Sequence, residues 1–99
     1  MSRIFFEWDS NKSKANLAKH GISFEEAQTV FYDEYARLSP DPSHSESEDR
    51  FLILGFSSKA RLLTVCHCCR TKDETIRIIS ARKASKSETK QYLQFNKGL

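Results

Sequence analysis

Three stretches decide the fold: Arg50-Phe51-Leu52-Ile53-Leu54-Gly55-Phe56, Arg61-Leu62-Leu63-Thr64-Val65-Cys66-His67-Cys68-Cys69 and Thr75-Ile76-Arg77-Ile78-Ile79-Ser80-Ala81-Arg82. Each is rich in branched residues, the first also in Phe, and each is bounded by turn formers, so each is predicted as a strand. Gly55 and Ser57-Ser58-Lys59-Ala60 suit a hairpin turn between the first two. Thr71-Lys72-Asp73-Glu74 suits the next turn. Strands joined by short turns form a meander, and a meander is antiparallel.

Helices lie on both sides of this meander. Downstream, Ser85-Lys86-Ser87-Glu88 has the capping-box pattern and starts a last helix. Tyr92 and Phe95 continue a buried face from Glu88, and Asn96 and Gly98 end the helix. Upstream, Ser23-Phe24-Glu25-Glu26 is a second capping box, with the Glu26 side chain returning to the N–H of Ser23. The helix it opens runs to about Phe31, with Phe24, Ala27, Val30 and Phe31 on one face and Ile22 stapled to Ala27. Before it, a helix over residues 10–20 is capped by Asp9 or Ser10 and ended by Gly21. That helix is mostly polar, with Ala15, Leu17 and Ala18 as a thin buried stripe. Ile4 to Trp8 reads as a first strand and Tyr35 to Leu38 as a short one. Pro40, Pro42 and the Ser/Asp/Glu run to Asp49 read as a turn or mobile loop. The predicted order is β-α-α-β-β-β-β-α, an α+β domain spanning residues 1–99.

Composition narrows the class. Hydrophobic residues are 38% and charged residues 29%, a globular mix. No apolar run approaches the ~18 residues of a membrane helix, and the first twenty residues lack a signal-peptide block, so the cytoplasm is expected. Cys66, Cys68 and Cys69 are too few and too clustered for a disulfide framework, which fits a reducing compartment. The net charge of +3 hides segregation: +2 over residues 1–22, −7 over 23–49 and +8 over 50–99. A basic second half suits a polyanion as partner; a solvated mixed surface is the alternative.

A family signature runs through the chain. It comprises Glu7-Trp8-Asp9, Lys12, Asn16, Lys19-His20-Gly21-Ile22-Ser23-Phe24-Glu25-Glu26-Ala27, Val30-Phe31 and Asp33. It continues with Glu48-Asp49-Arg50, Gly55, Ile76-Arg77-Ile78-Ile79-Ser80-Ala81-Arg82-Lys83-Ala84, Glu88 and Tyr92. Over about residues 4–93 this resembles the BrnT family. The resemblance implies a RelE-like fold, two helices packed on an antiparallel sheet of four to five strands, with a C-terminal helix. It implies a growth-arresting ribonuclease toxin of a type II toxin–antitoxin system. It implies a neighbouring BrnA-like antitoxin with a ribbon-helix-helix domain, through which alone DNA is reached, and a toxin–antitoxin hetero-oligomer that represses its own operon. Cys66-His67-Cys68-Cys69 departs from relatives, which more often carry aromatic or hydroxyl residues there.

RNA cleavage without a metal requires a base for the 2′-hydroxyl proton, cations for the phosphate and an acid for the leaving oxygen. Arg82, Arg77, Arg50 and His67 are the expected catalytic residues, with Lys19 as helper. Arg77 and Arg82 are an odd and an even position, so a regular strand points them to opposite faces unless a bulge intervenes. The alternative is that one of them bridges to Glu88 or another carboxylate. His67 is either a proton carrier or a half-buried histidine bonded to a neighbouring strand. Arg50 holds phosphate beside Glu48, or the two form a surface ion pair. Arg70, Trp8, His20 and Lys83 are the expected RNA contacts. Trp8 either stacks on a base or belongs to the core, and Lys19 and His20 also complement the helix dipole. Cys66-x-x-Cys69 has the spacing of a zinc knuckle, but there is no second pair, and His20 and His44 would have to converge on it, so no metal is expected. No glycine-rich phosphate loop points to a nucleotide cofactor, and none is expected. A catalytically inactive co-repressor bound to its antitoxin and a non-enzymatic RNA-binding module are the alternative functions.

Overall fold

The computed structural model describes residues 4–42, 50–70 and 74–96, and Arg70 by its backbone alone. The elements are β1 (Phe5–Glu7), α1 (Ser10–His20), α2 (Phe24–Thr29), a 3-10 turn (Val30–Tyr32), β2 (Arg37–Pro40), β3 (Arg50–Phe56), β4 (Leu62–Arg70), β5 (Thr75–Lys83) and α3 (Lys86–Phe95). Residues 43–49 of the expected loop, the turn residues 71–73 and Gly98 lie outside the described residues.

The five strands form one sheet in the order β1-β5-β4-β3-β2. β2 to β5 make the antiparallel meander. The sheet as a whole is mixed, because β1 runs parallel to β5, pairing Phe5 with Thr75 and Glu7 with Arg77. This corrects the all-antiparallel expectation. A strand of three residues carries no cue to its neighbour, and the helices between β1 and β2 free the chain to cross to the far edge. The core lies between the sheet and α2: Ile22, Phe24, Ala27 and Val30 pack with Ile53, Leu63, Val65, Ile78 and Ala81. Among the described residues no helix is long and apolar enough to cross a membrane.

Four local expectations change, each for a traceable reason. The first capping box is half formed. The Ser23 hydroxyl accepts from the Glu26 N–H at 3.0 Å. The buried Glu26 carboxylate turns away, accepting from Arg61 Nε at 2.9 Å, from Arg61 Nη2 and from the Ser57 hydroxyl at 2.7 Å. A guanidinium is a stronger partner for a carboxylate than a backbone amide. Next, α2 stops at Thr29, whose hydroxyl donates to the Glu26 carbonyl and accepts from the Ser58 N–H, competing with the helical pattern. The chain then tightens into the 3-10 turn rather than running as α-helix to Phe31. β2 starts at Arg37 rather than Tyr35, because the Asp33 side chain and carbonyl accept from the N–H groups of Tyr35 and Ala36 and hold a turn there. Gly55 lies inside β3 opposite Leu63, not in the hairpin turn, where Ala60 takes the positive φ.

Gly55 explains itself by crowding. A Cβ built there meets Ala36 Cβ and Asp33 Oδ2 at 3.0 Å and Val30 Cγ1 at 3.1 Å. Asp33 sits so close because its Oδ2 accepts from the Phe56 N–H at 2.8 Å and from the Tyr92 hydroxyl at 2.7 Å. The carboxylate thus ties β3 and α3 to the end of the helical segment. Burial pushes the Tyr92 hydroxyl up to about 12, with the Asp33 charge adding to it, so Tyr92 stays a donor. Tyr92 is buried against Phe56, whereas Phe95 is 59% exposed, contrary to the expected shared face. The Arg37 guanidinium stacks over the Phe95 ring at 4.0 Å, which gives that ring a partner at the surface. Gly55→Ala is expected to lower unfolding stability by about 1–3 kcal/mol, read as a drop in the urea midpoint, because rigid neighbours on three sides must yield.

Candidate nucleic-acid interface

β5 is irregular, and its irregularity organises the basic residues. Cys66 pairs with Ser80 but His67 pairs with Ile78, leaving Ile79 as an extra residue on β5. Arg77 therefore stands opposite Cys68 and Arg82 opposite Thr64. Cys68 and Thr64 share one face of β4, so the bulge places Arg77 and Arg82 on a common face. On that face Arg50, Cys68, Arg77 and Glu7 form a row across β3, β4, β5 and β1. Two strand spacings separate Arg50 from Arg77, roughly 10 Å.

The expected residues divide among several places. Arg82 is committed to Glu88 through two contacts, Nη1–Oε1 at 2.8 Å and Nη2–Oε2 at 3.1 Å. The same carboxylate accepts from the Ser85 N–H at 2.8 Å and the Thr64 hydroxyl at 2.9 Å, so the complete second capping box also fastens α3 to the sheet. The Arg82 pair, burial opposing it, and the Ser85 and Thr64 donors bring Glu88 down to about 2. His67 sits on the other face, 3% exposed, with its ring edge-on to Phe31 at 4.7 Å and Nδ1 3.3 Å from its own strand's Val65 carbonyl. Burial lowers its pKa, which keeps the ring neutral. His67 and the Arg50–Arg77 row thus stand on opposite sides of the sheet. Lys83 is exposed at the end of β5, opposite Leu63. Arg70 pairs with Thr75 at the far end of β4. Glu48, the expected companion of Arg50, lies outside the described residues, as does His44.

Cys66 and Cys69 point to opposite faces, which separates the pair with knuckle spacing. Burial pushes the Cys66 thiol up to about 11, with the carboxylate of Asp41 adding to it. Among the described residues no three His, Cys, Asp or Glu side chains gather as metal ligands.

Lys19 and His20 share the lining of one groove with a further cation, Lys12. β1 pairs with β5 only as far as Arg77, so the following stretch of β5 faces α1 instead of a strand. Between them runs a groove of about 220 Å³ lined by Lys12, Ala15, Asn16, Lys19, His20, Ile79 and Ser80. Lys12 and Lys19 are seven apart, two helical turns, and so lie on one face of α1. Beside the groove is a recess of about 180 Å³ lined by Glu7, Trp8, Asp9 and Arg77. The two meet at the start of α1, where Asp9 accepts from the N–H groups of Asn11 and Lys12 at 2.8 and 3.1 Å. Those two bonds, with the charges of Lys12 and Arg77, hold the Asp9 carboxyl below its ordinary pKa. The Trp8 ring packs edge-on against buried Phe24, and the residue also lines the recess.

Two ammonium groups, an imidazole and a hydroxyl along a groove, with a guanidinium and an indole at its mouth, match a phosphodiester chain carrying a base. Lys12 and Ser80 were not among the expected site residues. The i, i+7 spacing of Lys12 and Lys19 is available in the sequence, but Ser80 stands there only inside the signature string, and its place depends on the bulge.

Known proteins share this architecture. The family model described as "Ribonuclease toxin, BrnT, of type II toxin-antitoxin system" matches residues 8–88. The crystal structure of the Brucella abortus ribonuclease toxin BrnT superposes with a TM-score of 0.65 at 24% identity, covering 85% of this chain and 100% of that one. No curated protein matches.

The depressed pKa of Glu88 predicts an acid-sensitive joint. Its contribution to stability is full above the ordinary value of 4.5 and is lost as pH falls toward about 2. Urea unfolding of Glu88→Gln is expected to show a flatter dependence on pH across that window than the parent protein.

Proposed function

We propose, from the premise that this chain belongs to the BrnT family of ribonuclease toxins of type II toxin–antitoxin systems, that it cleaves RNA in the α1–β5 groove without a metal ion. The observation that supports this reading is the convergence of Lys12, Lys19, His20 and Ser80 on one groove with Arg77 beside it. In this reading the RNA backbone follows the groove and a base stacks at Trp8. Lys12, Lys19 and Arg77 face the phosphate, where positive groups stabilise the charge that builds on its oxygens when the 2′-hydroxyl attacks. His20 replaces His67 as proton carrier, because an imidazole in the groove reaches the reacting oxygens and a buried one on the opposite face does not. The 2′-oxygen forms its bond to phosphorus as the 5′-oxygen leaves with a proton, giving a 2′,3′-cyclic phosphate and a 5′-hydroxyl. Arg50 extends the phosphate track along its row. Arg82 acts through Glu88 as a structural tie, and Lys83 adds charge at the groove's far end.

The finer features of the family complete the proposal. The chain forms one RelE-like domain over residues 1–99 and acts in the cytoplasm. A BrnA-like ribbon-helix-helix antitoxin binds it in a hetero-oligomer that neutralises it and represses the shared operon.

Incubation of antitoxin-free protein with labelled RNA in EDTA tests the mechanism. Cleavage is expected to persist and to leave a cyclic phosphate. Lys19→Ala and Arg77→Ala are each expected to lower kcat/KM by about 100-fold, the scale of losing a preorganised charge contact. For a non-cleavable 2′-deoxy strand, Lys12→Ala and Lys19→Ala should each reduce the salt dependence of binding by ~0.7 in the log–log slope. Abolition of cleavage by EDTA, or a product ending in a 3′-hydroxyl, overturns the mechanism.

A further inference from the structure

α1 is held to the protein in an unusual way. Its one buried residue is polar: Asn16 is 6% exposed, while Ala15, Leu17 and Ala18, the expected buried stripe, are all exposed. Leu17 is 52% exposed. The helix therefore has little apolar surface with which to fix its rotation or its height along β5.

Asn16 supplies directional contacts instead. Its Nδ2 donates to the Ala81 carbonyl at 2.8 Å, and its Oδ1 accepts from the Ala81 N–H at 3.1 Å. The carboxamide thus occupies the place a neighbouring strand would take, on the part of β5 that β1 does not reach. The second Nδ2 hydrogen goes to the Ile22 carbonyl at 2.9 Å, just past the left-handed Gly21 that ends α1. Both donors and the acceptor are used, and the contacts fix α1 to the bulged strand at one point.

That point is the middle of the groove. Lys12 is four residues before Asn16; Lys19 and His20 are three and four after it, and all four line the groove. Across from them stand Ile79, the extra residue of the bulge, and Ser80, next to the bonded Ala81. The geometry points to Asn16 as a positioning residue for the cleavage reaction: it sets the register of Lys12, Lys19 and His20 against Ser80 and Arg77. This rests on the groove being the site of cleavage. Asn16 need not touch RNA, because it acts through the place it gives α1.

The test separates position from reaction. Asn16→Asp keeps the shape and the acceptor but removes both donors, and Asn16→Gln keeps donors and acceptor on a longer arm. In the folded Asp variant, NOEs from Ala15 and Lys19 to Ile79 and Ser80 are expected to weaken while those within the β3–β5 sheet persist. Its kcat per folded molecule is expected to fall about tenfold or more with KM held within about threefold, since misplaced groups cost most in the transition state. The Gln variant is expected to recover most of both signals. If the Asp variant does not fold, Asn16→Ser, which keeps a single hydroxyl contact, takes its place with the same expectations. Unchanged NOEs overturn the proposal, as does a wild-type kcat in a variant whose helix has shifted. A wild-type protein that cuts no RNA removes the reaction, and the NOEs alone then decide whether Asn16 sets α1 against β5.

Discussion

The pairing of the Asn16 carboxamide with both backbone groups of Ala81 is the constraint on which the basic groove depends. A β-strand edge buried without partners is costly, because each unmet amide or carbonyl loses its water. Most sheets meet that need with another strand. Here β1 ends too early, and one side chain from a polar helix takes over. The helix gains a fixed seat, the strand gains closure, and the groove between them gains walls of defined spacing. A helix seated only by small exposed alanines would be free to slide, and a site made of long lysines needs its backbone held if the ammonium groups are to converge.

The bulge at Ile79 works with this contact. A strand alternates its faces every residue, so an inserted residue exchanges the two faces for everything beyond it. Before the bulge, Arg77 joins Arg50 and Glu7 in a row; after it, Arg82 returns to the same face and meets Glu88. The two arginines thereby take different work. One lines a recess beside Trp8, and the other fastens α3. Elsewhere polar ties again do what a small core cannot do alone. Glu26 with Arg61 and Ser57 joins α2 to the β3–β4 hairpin, and Asp33 with Tyr92 and the Phe56 amide joins the 3-10 turn to α3 and β3.

Much of the fold was legible along the chain. The three long strands are marked by their density of branched residues, and β3 has the predicted ends. α1 starts after Asp9 and ends at Gly21, because a carboxylate cap and a left-handed glycine are local devices that need no tertiary context. The box at Ser85 and Glu88 formed in full. The box at Ser23 formed by half, because Glu26 found a guanidinium from a residue 35 positions away. Lys19 and His20 read as cations at a helix end, which is also a local feature. Lys12, Asn16 and Ser80 stand in the sequence only as parts of the family signature, since what gives them a place in the groove lies on other elements.

By itself, then, the sequence determined the features that neighbours along the chain impose on one another: which segments are strands or helices, where caps and turns fall, and that positive charge gathers in the second half of the chain. These depend on side-chain period and on backbone preferences that act over a few residues. The tertiary structure alone decided the direction of β1, the place of the bulge, the face each arginine takes, the burial of His67 and the seating of α1 on Asn16. Each of those depends on which backbone groups remain unpaired once the strands have met, and that is a property of the assembled sheet.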